Sequence, residues 1–370
     1  MQHICMVSPE FPPQCGGIGW HVKSLCDRLA RNGYNVTVLT RGRWRERIRR
    51  DVGLPYDVLR LEHFPSYPFH LFLHQTRLVS YLHSKDVEYD LIHIHHPLSP
   101  PIKVSRTPCV LTLHGFAWRH PSDRRSHFAR IALGLVLGHL ESSLVGAARE
   151  VAVVSRSCIR EINHEQWREK MRFVGNGVDT DFFSPRMRAP EDYSFTYTGP
   201  LVPIKGLLTL VEAAGLLSRR EPVSFNLVGE GPMKKVLETL VSKSNLRPHF
   251  RFLGRLGRED VKNVLQGSYG FVLPSFYEGM PTSLLEAMSC QLPCIASAVG
   301  GIPELATNEK NALLIPPGKP AHLARAIQTI LNDRRIGLRI AEKAREHVRR
   351  WFDWDVVFRR YLRVYSLAGD

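Results

Sequence analysis

Two successive rounds of strand-like apolar runs alternating with amphipathic helical stretches fill this 370-residue chain. That rhythm restricts the fold to parallel sheets with helices on their faces, because neighbouring parallel strands need a long crossover and a helix supplies it. In the first round the strand-like runs are ICMVS (4–8), YNVTVLT (34–40), LIHI (91–94), CVLTL (109–113) and VAVVS (151–155). Between the first two, Ile18, Val22, Leu25, Cys26, Leu29 and Ala30 form a stripe at helical spacing, and Gly33 suits the position just past a helix end. The second round reads FTYTG (195–199), VSFNLVG (223–229), FRFLG (250–254), GFVLPS (270–275) and PCIAS (293–297), with helical patterns over 206–219, 232–243, 258–267 and 282–290.

Residues 181–192 mix prolines and charges without periodicity and read as a linker. The expected fold class is therefore α/β, with two Rossmann-like parallel-sheet domains over 1–180 and 193–352 facing each other across a cleft. A closing helix over 353–370 is expected to return to the first domain. Two domains of roughly 150 to 200 residues each also suit the length. Ligands of such sheets lie beyond the carboxyl ends of the strands, so residues just after strands are the candidates for a site.

Composition narrows the partners. A net charge of +15 calls for something anionic, and nucleotide phosphates, nucleic acid or an anionic membrane surface would each satisfy it. No RNP, KH or zinc-finger pattern accompanies the charge, so nucleic acid is not expected. The densest basic run, Arg41 to Arg50, and the cluster Arg119, Arg124 and Arg125 read either as solvated loops or as membrane-docking surfaces with Trp44 or Trp118 at the interface. The start MQHICMVSPEFPP reads as a first strand rather than a secretory signal, so the expected location is cytoplasmic, peripheral on the inner membrane face if the basic surface docks there. The apolar run from Ile131 to Leu137 is too short to span a bilayer. Seven cysteines without CxxC spacing argue against a disulfide framework and a structural zinc site, and read as reduced, mostly buried thiols.

The passage PSFYEGMPTSLLEAM (274–288) carries the strongest chemical pattern. Glu278 falls on a post-strand loop and Glu286 in the first turn of the helix that follows. Glu278 can accept hydrogen bonds from sugar hydroxyls, Glu286 from ribose hydroxyls, and the amides of Gly279, Met280, Thr282 and Ser283, on either side of Pro281, border a helix N-terminus suited to phosphate. Ser283 to Glu286 also has the spacing of a capping box, a purely structural alternative.

This passage resembles the E-x7-E segment of glycosyltransferase family 4, retaining enzymes of the GT-B fold, and the likeness extends over most of the chain. PEFPPQCGGIGWHVKSLCDRLARNGYNVTVLT (9–40) looks like the family's glycine-rich first loop and helix, and TLHG (112–115) like its segment with a site histidine. VGNGVD (174–179), TGPLVPIKG (198–206), LVGEGP (227–232), FLGRL (252–256) and ASAVGGIPEL (296–305) then follow in the family's order. The resemblance implies transfer of a hexose or N-acetylhexosamine from a nucleotide diphosphate sugar, UDP favoured over GDP, to a saccharide or lipid-linked acceptor. It implies no cofactor and no metal.

By the same resemblance, backbone amides at Gly16, Gly17 and Gly19 approach the donor diphosphate, and Lys205 stabilises the leaving group. His114 contacts the transferred sugar or the acceptor, and Gly229, Arg255, Leu256 and the 279–282 loop line the donor pocket. The family's G-R-L-x-x-x-K-G appears here as Gly199-Pro200-Leu201-Val202-Pro203-Ile204-Lys205-Gly206. Proline therefore replaces the phosphate-binding arginine, and Arg255 or another nearby base is the candidate substitute. His93, His95 and His96 lack a carboxylate at ligand spacing, so no metal is expected there. Two rival readings remain open: a hydrolytic or phosphorolytic enzyme using the two glutamates, and a catalytically impaired partner subunit that binds sugar or lipid.

Overall fold

The computed structural model describes residues 2–13, 16–43, 48–62, 78–82, 84, 88–95, 107–115, 143–162, 165–186, 192–217 and 223–369. Trp44, Trp118, the Arg119 cluster, the 131–137 run, His96, Cys15 and residues 187–191 lie outside them. The described residues form two compact units, one running to Gly175 and taking in Val357 onward, the other Asn176–Val356.

The first unit is built on an eight-stranded sheet in the order β3-β4-β2-β1-β5-β6-β7-β8. Its strands are β1 (His3–Val7), β2 (Asn35–Arg41), β3 (Ile48–Asp51), β4 (Asp57–Leu61), β5 (Leu91–His95), β6 (Cys109–Leu113), β7 (Glu150–Val153) and β8 (Met171–Phe173). All neighbours are parallel except β3 on β4. Every residue of β5, β6 and β7 is buried, which is why these strands read as unbroken apolar runs rather than alternating ones. Helix α1 (Gly17–Arg31) buries Val22, Leu25, Cys26 and Leu29 of the predicted stripe together with His21 and Ser24 and leaves Ile18 and Ala30 half-buried, and α2 (Arg156–Glu161) follows β7.

The second unit carries a six-stranded, wholly parallel sheet in the order β11-β10-β9-β12-β13-β14. Its strands are β9 (Ser194–Thr198), β10 (Ser224–Val228), β11 (Phe250–Gly254), β12 (Gly270–Leu273), β13 (Cys294–Ser297) and β14 (Leu313–Ile315). Its helices are α3 (Leu207–Leu217), α4 (Lys234–Lys243), α5 (Arg258–Gln266), α6 (Thr282–Ser289), α7 (Ile302–Leu305), α8 (Pro320–Asn332) and α9 (Arg334–Trp351), and α10 (Trp354–Gly369) closes the chain. Numbered within the unit, the strands run 3-2-1-4-5-6, the order of a Rossmann sheet. The chain direction across the sheet reverses between β9 and β12, and in the first sheet between β1 and β5. Those two pairs of strand ends are where sheets of this kind receive ligands.

The boundary of the first unit differs from expectation. Residues 176–186 pack into the second unit instead of bridging: Phe183 is fully buried, its carbonyl accepts from Ser289 Oγ at 2.6 Å, and Arg345 reaches the carbonyls of Thr180 and Phe183. A buried aromatic inside a proline- and charge-rich stretch is the feature that the linker reading overlooked. All six described cysteines are free and buried, and burial pushes the Cys109 thiol up to about 12. Among the described residues no helix is long and apolar enough to cross a membrane.

Candidate active site

The reversal point of the second sheet brings two of the predicted residues together. Lys205 ends a short 3-10 turn after β9, and Glu278 lies on the loop after β12. The Lys205 ammonium donates to Glu278 Oε1 at 2.7 Å, and Ser275 Oγ donates to the same oxygen at 2.7 Å. Both bonds fall on Oε1, so Oε2 is the oxygen left to accept from a further donor. An ammonium has three donors, and two N–H groups of Lys205 remain for other acceptors.

Glycines set this geometry. Gly206 has φ 65°, and a Cβ there would lie 2.0 Å from the Pro274 carbonyl oxygen. Only a glycine lets the β9 loop approach the β12 loop this closely, and Phe276 N then donates to Ile204 O at 2.8 Å to close the contact. Gly300 has φ 53°, and a Cβ there would lie 1.7 Å from the Glu278 carbonyl oxygen, which accepts from Gly301 N at 3.1 Å. The predicted ASAVGGIPEL segment thus acts as a backbone clamp on Glu278.

The neighbouring loop is fixed by a residue that the sequence reading did not single out. Asn176 Nδ2 donates to Met280 O at 2.6 Å, and its backbone N–H contacts Met280 Sδ at 3.3 Å. Met280 and Pro281 are buried, whereas Gly279 and Thr282 stay partly open. Helix α6 begins at Thr282 with Pro281 as N-cap and no side-chain cap bond, so the capping box is not formed. Glu286 accordingly falls in the second turn of α6 rather than the first. Part of its side chain still reaches solvent, but desolvation pushes its carboxyl up to about 7, against the opposing influence of the Arg258 guanidinium. Arg258, stacked over Phe182 at 4.7 Å, is thus the cation felt by Glu286, whereas the predicted Arg255 is exposed. Leu256 is half-buried, and Gly229 donates its N–H to the Gly254 carbonyl at 2.7 Å. Pro200 is exposed, and its carbonyl accepts from Tyr197 Oη at 2.9 Å.

At the glycine loop of the first unit the expected phosphate contacts meet a competitor. Glu10, just past β1, accepts from Gly16 N at 2.9 Å and from Gly19 N at 3.0 Å. A carboxylate there stabilises the start of α1 and occupies the N–H groups of Gly16 and Gly19, for which a phosphate would compete. Gly17 remains exposed at the helix start.

His114, directly after β6, is bonded through Nε2 to His95 Nδ1 at 3.0 Å and stacks on that ring. Behind it lies a neutral polar network. His93 joins Thr112 Oγ1 at 2.7 Å and Tyr365 Oη at 2.8 Å, while Tyr361 Oη meets His21 at 2.9 Å and Thr112 at 3.3 Å. Burial, with smaller contributions from neighbouring histidines, holds His93 down to about 3 and His95 well below its ordinary range, and burial pushes Tyr361 and Tyr365 up. His21, His95 and His114 place one ring nitrogen each within 4.8 Å of the others.

Comparison with known proteins bears on the family and the fold. Residues 15–182 match Glycosyltransferase Family 4, and residues 179–347 match Glycosyl transferases group 1. An Escherichia coli UDP-Gal:alpha-D-GlcNAc-diphosphoundecaprenol alpha-1,3-galactosyltransferase is 29% identical over 252 residues, covering 62% of this chain and 63% of its own. The fold is that of sucrose-phosphate synthase from Thermosynechococcus elongatus, with a TM-score of 0.85 at 23% identity over 99% of this chain and 98% of that one. HepE of Anabaena in complex with UDP-glucose superposes with a TM-score of 0.76 at 18% identity, over 99% of this chain and 100% of its own. Two parallel-sheet α/β units and paired matches running from residue 15 to residue 347 lead to one assignment: the chain belongs to the group 1, or family 4, glycosyltransferases of the GT-B fold.

Proposed function

We propose that this glycosyltransferase moves a hexose or N-acetylhexosamine from a UDP-sugar to a saccharide or lipid-linked acceptor, with retention of configuration and without a metal ion. The observation that carries this reading is the Lys205–Glu278 pair at 2.7 Å on the reversal point of the second sheet. Glu278 Oε2 orients the sugar by accepting from its hydroxyls, and the remaining Lys205 donors stabilise the charge that grows on the diphosphate as the glycosidic bond breaks. Glu286 receives the ribose hydroxyls, and amides at the start of α6 add to phosphate binding. His114 contacts the transferred sugar or the acceptor.

Glu278 is a poor nucleophile in this setting, because Lys205 and Ser275 already hold its Oε1. Retention is therefore assigned to front-face substitution. The acceptor oxygen forms its bond to the anomeric carbon on the side from which the diphosphate leaves, and a departing phosphate oxygen takes the acceptor's proton. UDP is favoured by the bound UDP-glucose in HepE, and a lipid-linked acceptor by the name of the Escherichia coli relative. A net charge of +15 suits an acceptor held in an anionic membrane surface.

A thermal-shift screen with UDP, GDP and ADP tests the donor, because a ligand that binds only the native state raises its apparent stability. UDP is expected to give the largest shift. A larger shift with GDP would overturn the donor assignment, and specific binding with no turnover over a panel of sugars and acceptors would favour a binding subunit.

A further inference from the structure

Three imidazoles from separate elements of the first unit converge: His21 in α1, His95 at the end of β5 and His114 just after β6. We propose that this triad is a binding site for a zinc ion, and that zinc held there withdraws His114 from its contact with the sugar. The second half of this statement rests on the functional reading above; the binding itself does not.

The geometry is close to a ligand set. Zinc–nitrogen bonds of about 2.0–2.1 Å in a tetrahedral site put the ligand nitrogens roughly 3.3 Å apart. His95 Nδ1 and His114 Nε2 are already 3.0 Å apart, and all three rings offer nitrogens within 4.8 Å. Closing the set takes ring movements on the order of an ångström, which imidazole provides through its broad χ2 well. His95 is fully buried, and Nδ1, the nitrogen it turns toward His114, is the one placed to ligate.

The surroundings also resemble those of metal-ligating histidines. Such a ring usually has its other nitrogen fixed by an oxygen, and His21 Nε2 lies 2.9 Å from Tyr361 Oη. His95 packs against His93 at 4.2 Å between centroids, and Thr112 and Tyr365 pin both nitrogens of His93. Neutral imidazoles as the only protein ligands favour a borderline-soft cation over magnesium or calcium. Three protein ligands leave a fourth position for water or a substrate oxygen, as in sites where zinc stays open.

The full chain, stripped with EDTA and desalted, is titrated with zinc by calorimetry, and with cobalt(II) while its visible d–d bands are followed. One ion per chain and an intense tetrahedral cobalt spectrum are expected. His114→Ala and His95→Asn should each weaken binding about tenfold or more, Tyr361→Phe by about tenfold, and the exposed-site control His322→Ala not at all. His114 is the least buried of the three, so its variant keeps the test open if the His95 variant fails to fold. No stoichiometric zinc binding, or binding that survives in folded His114→Ala, would overturn the site. In the wild type, zinc should suppress transfer and EDTA restore it. Zinc bound through the triad with transfer unchanged would overturn the withdrawal of His114 and its sugar contact, while leaving the site in place.

Discussion

The second unit organises its polar centre around an ion pair, Lys205 on Glu278, whereas the first organises its own around neutral imidazoles and phenols. On the function proposed above, the difference follows from what each must face. A group that meets a leaving diphosphate needs a cation in place before charge develops, and an ammonium held by a carboxylate is oriented without being discharged. A cluster buried behind a sheet end cannot keep uncompensated charge, so burial holds His93 and His95 well below the usual imidazole range and hydrogen bonds align them. Disturbing the ion pair should therefore show in turnover, and disturbing the neutral network in stability.

The largest expected effect is on catalysis. Lys205→Ala and Glu278→Gln should each lower kcat by about 10²- to 10³-fold, the usual consequence of removing one preorganised donor or its orienting partner. UDP affinity should change much less in Glu278→Gln, whose side chain has no assigned contact with the nucleotide. Steady-state kinetics with calorimetric UDP binding separates the two quantities, and full turnover in folded variants of either kind would break the comparison at its base.

Next comes the backbone clamp. Gly300→Ala must place a methyl group where the Glu278 carbonyl oxygen now lies, 1.7 Å away, in a left-handed conformation. The expected cost is about 2–4 kcal/mol of stability, with a parallel loss of turnover because Glu278 is pushed off Lys205. In the first unit, Tyr365→Phe removes one partner of His93 and should cost about 1–3 kcal/mol by denaturant unfolding, with UDP affinity unaltered. A change in UDP binding in that variant would show that the neutral network does more than hold the first unit together.

The same division explains what the sequence made readable. Buried parallel strands show as apolar runs, so β1, β2, β5, β6 and β7 and five strands of the second sheet were legible. Exposed β3, with Ile48, Arg49 and Arg50 open to solvent, β4, whose DVLRL is broken by Asp57 and Arg60, and the three-residue strands β8 and β14 were not. Lys205 and Glu278 stood out as post-strand residues, but their contact spans 73 positions and depends on β9 lying beside β12, which no local pattern states. Glu10 and Asn176 were in view inside quoted segments and were passed over, because a carboxylate beside a glycine loop and an amide in a turn have ordinary local uses. His21 carried a readable signal. It sits at i+3 from Ile18 on the buried stripe of α1, and a histidine on an apolar face needs a polar partner inside. The 283–286 capping box misled because Pro281 starts the helix earlier, moving Glu286 one turn inward.

Glu286 supplies the smallest effect and the finest test of the contrast, since it is the carboxylate of the second unit that burial drives toward neutrality. Its folded pKa is raised from 4.5 to about 7, so the native state holds a proton that the unfolded chain releases. Stability of the ligand-free protein should therefore fall as pH rises from 4.5 through 7, by an amount on the order of 2–4 kcal/mol. On the function proposed above, ribose hydroxyls donate to the ionised carboxylate, so nucleotide binding should release this proton and strengthen with pH. With a pKa of about 7, the ionised fraction rises about tenfold between roughly pH 6 and 8, which sets the upper bound for the gain in UDP affinity. Calorimetry in buffers of different ionisation enthalpy reads both the affinity and the proton released. In Glu286→Gln, which cannot ionise, the pH dependence should vanish, and a slope that persists there would assign it to the second ionisation of the terminal phosphate of UDP instead.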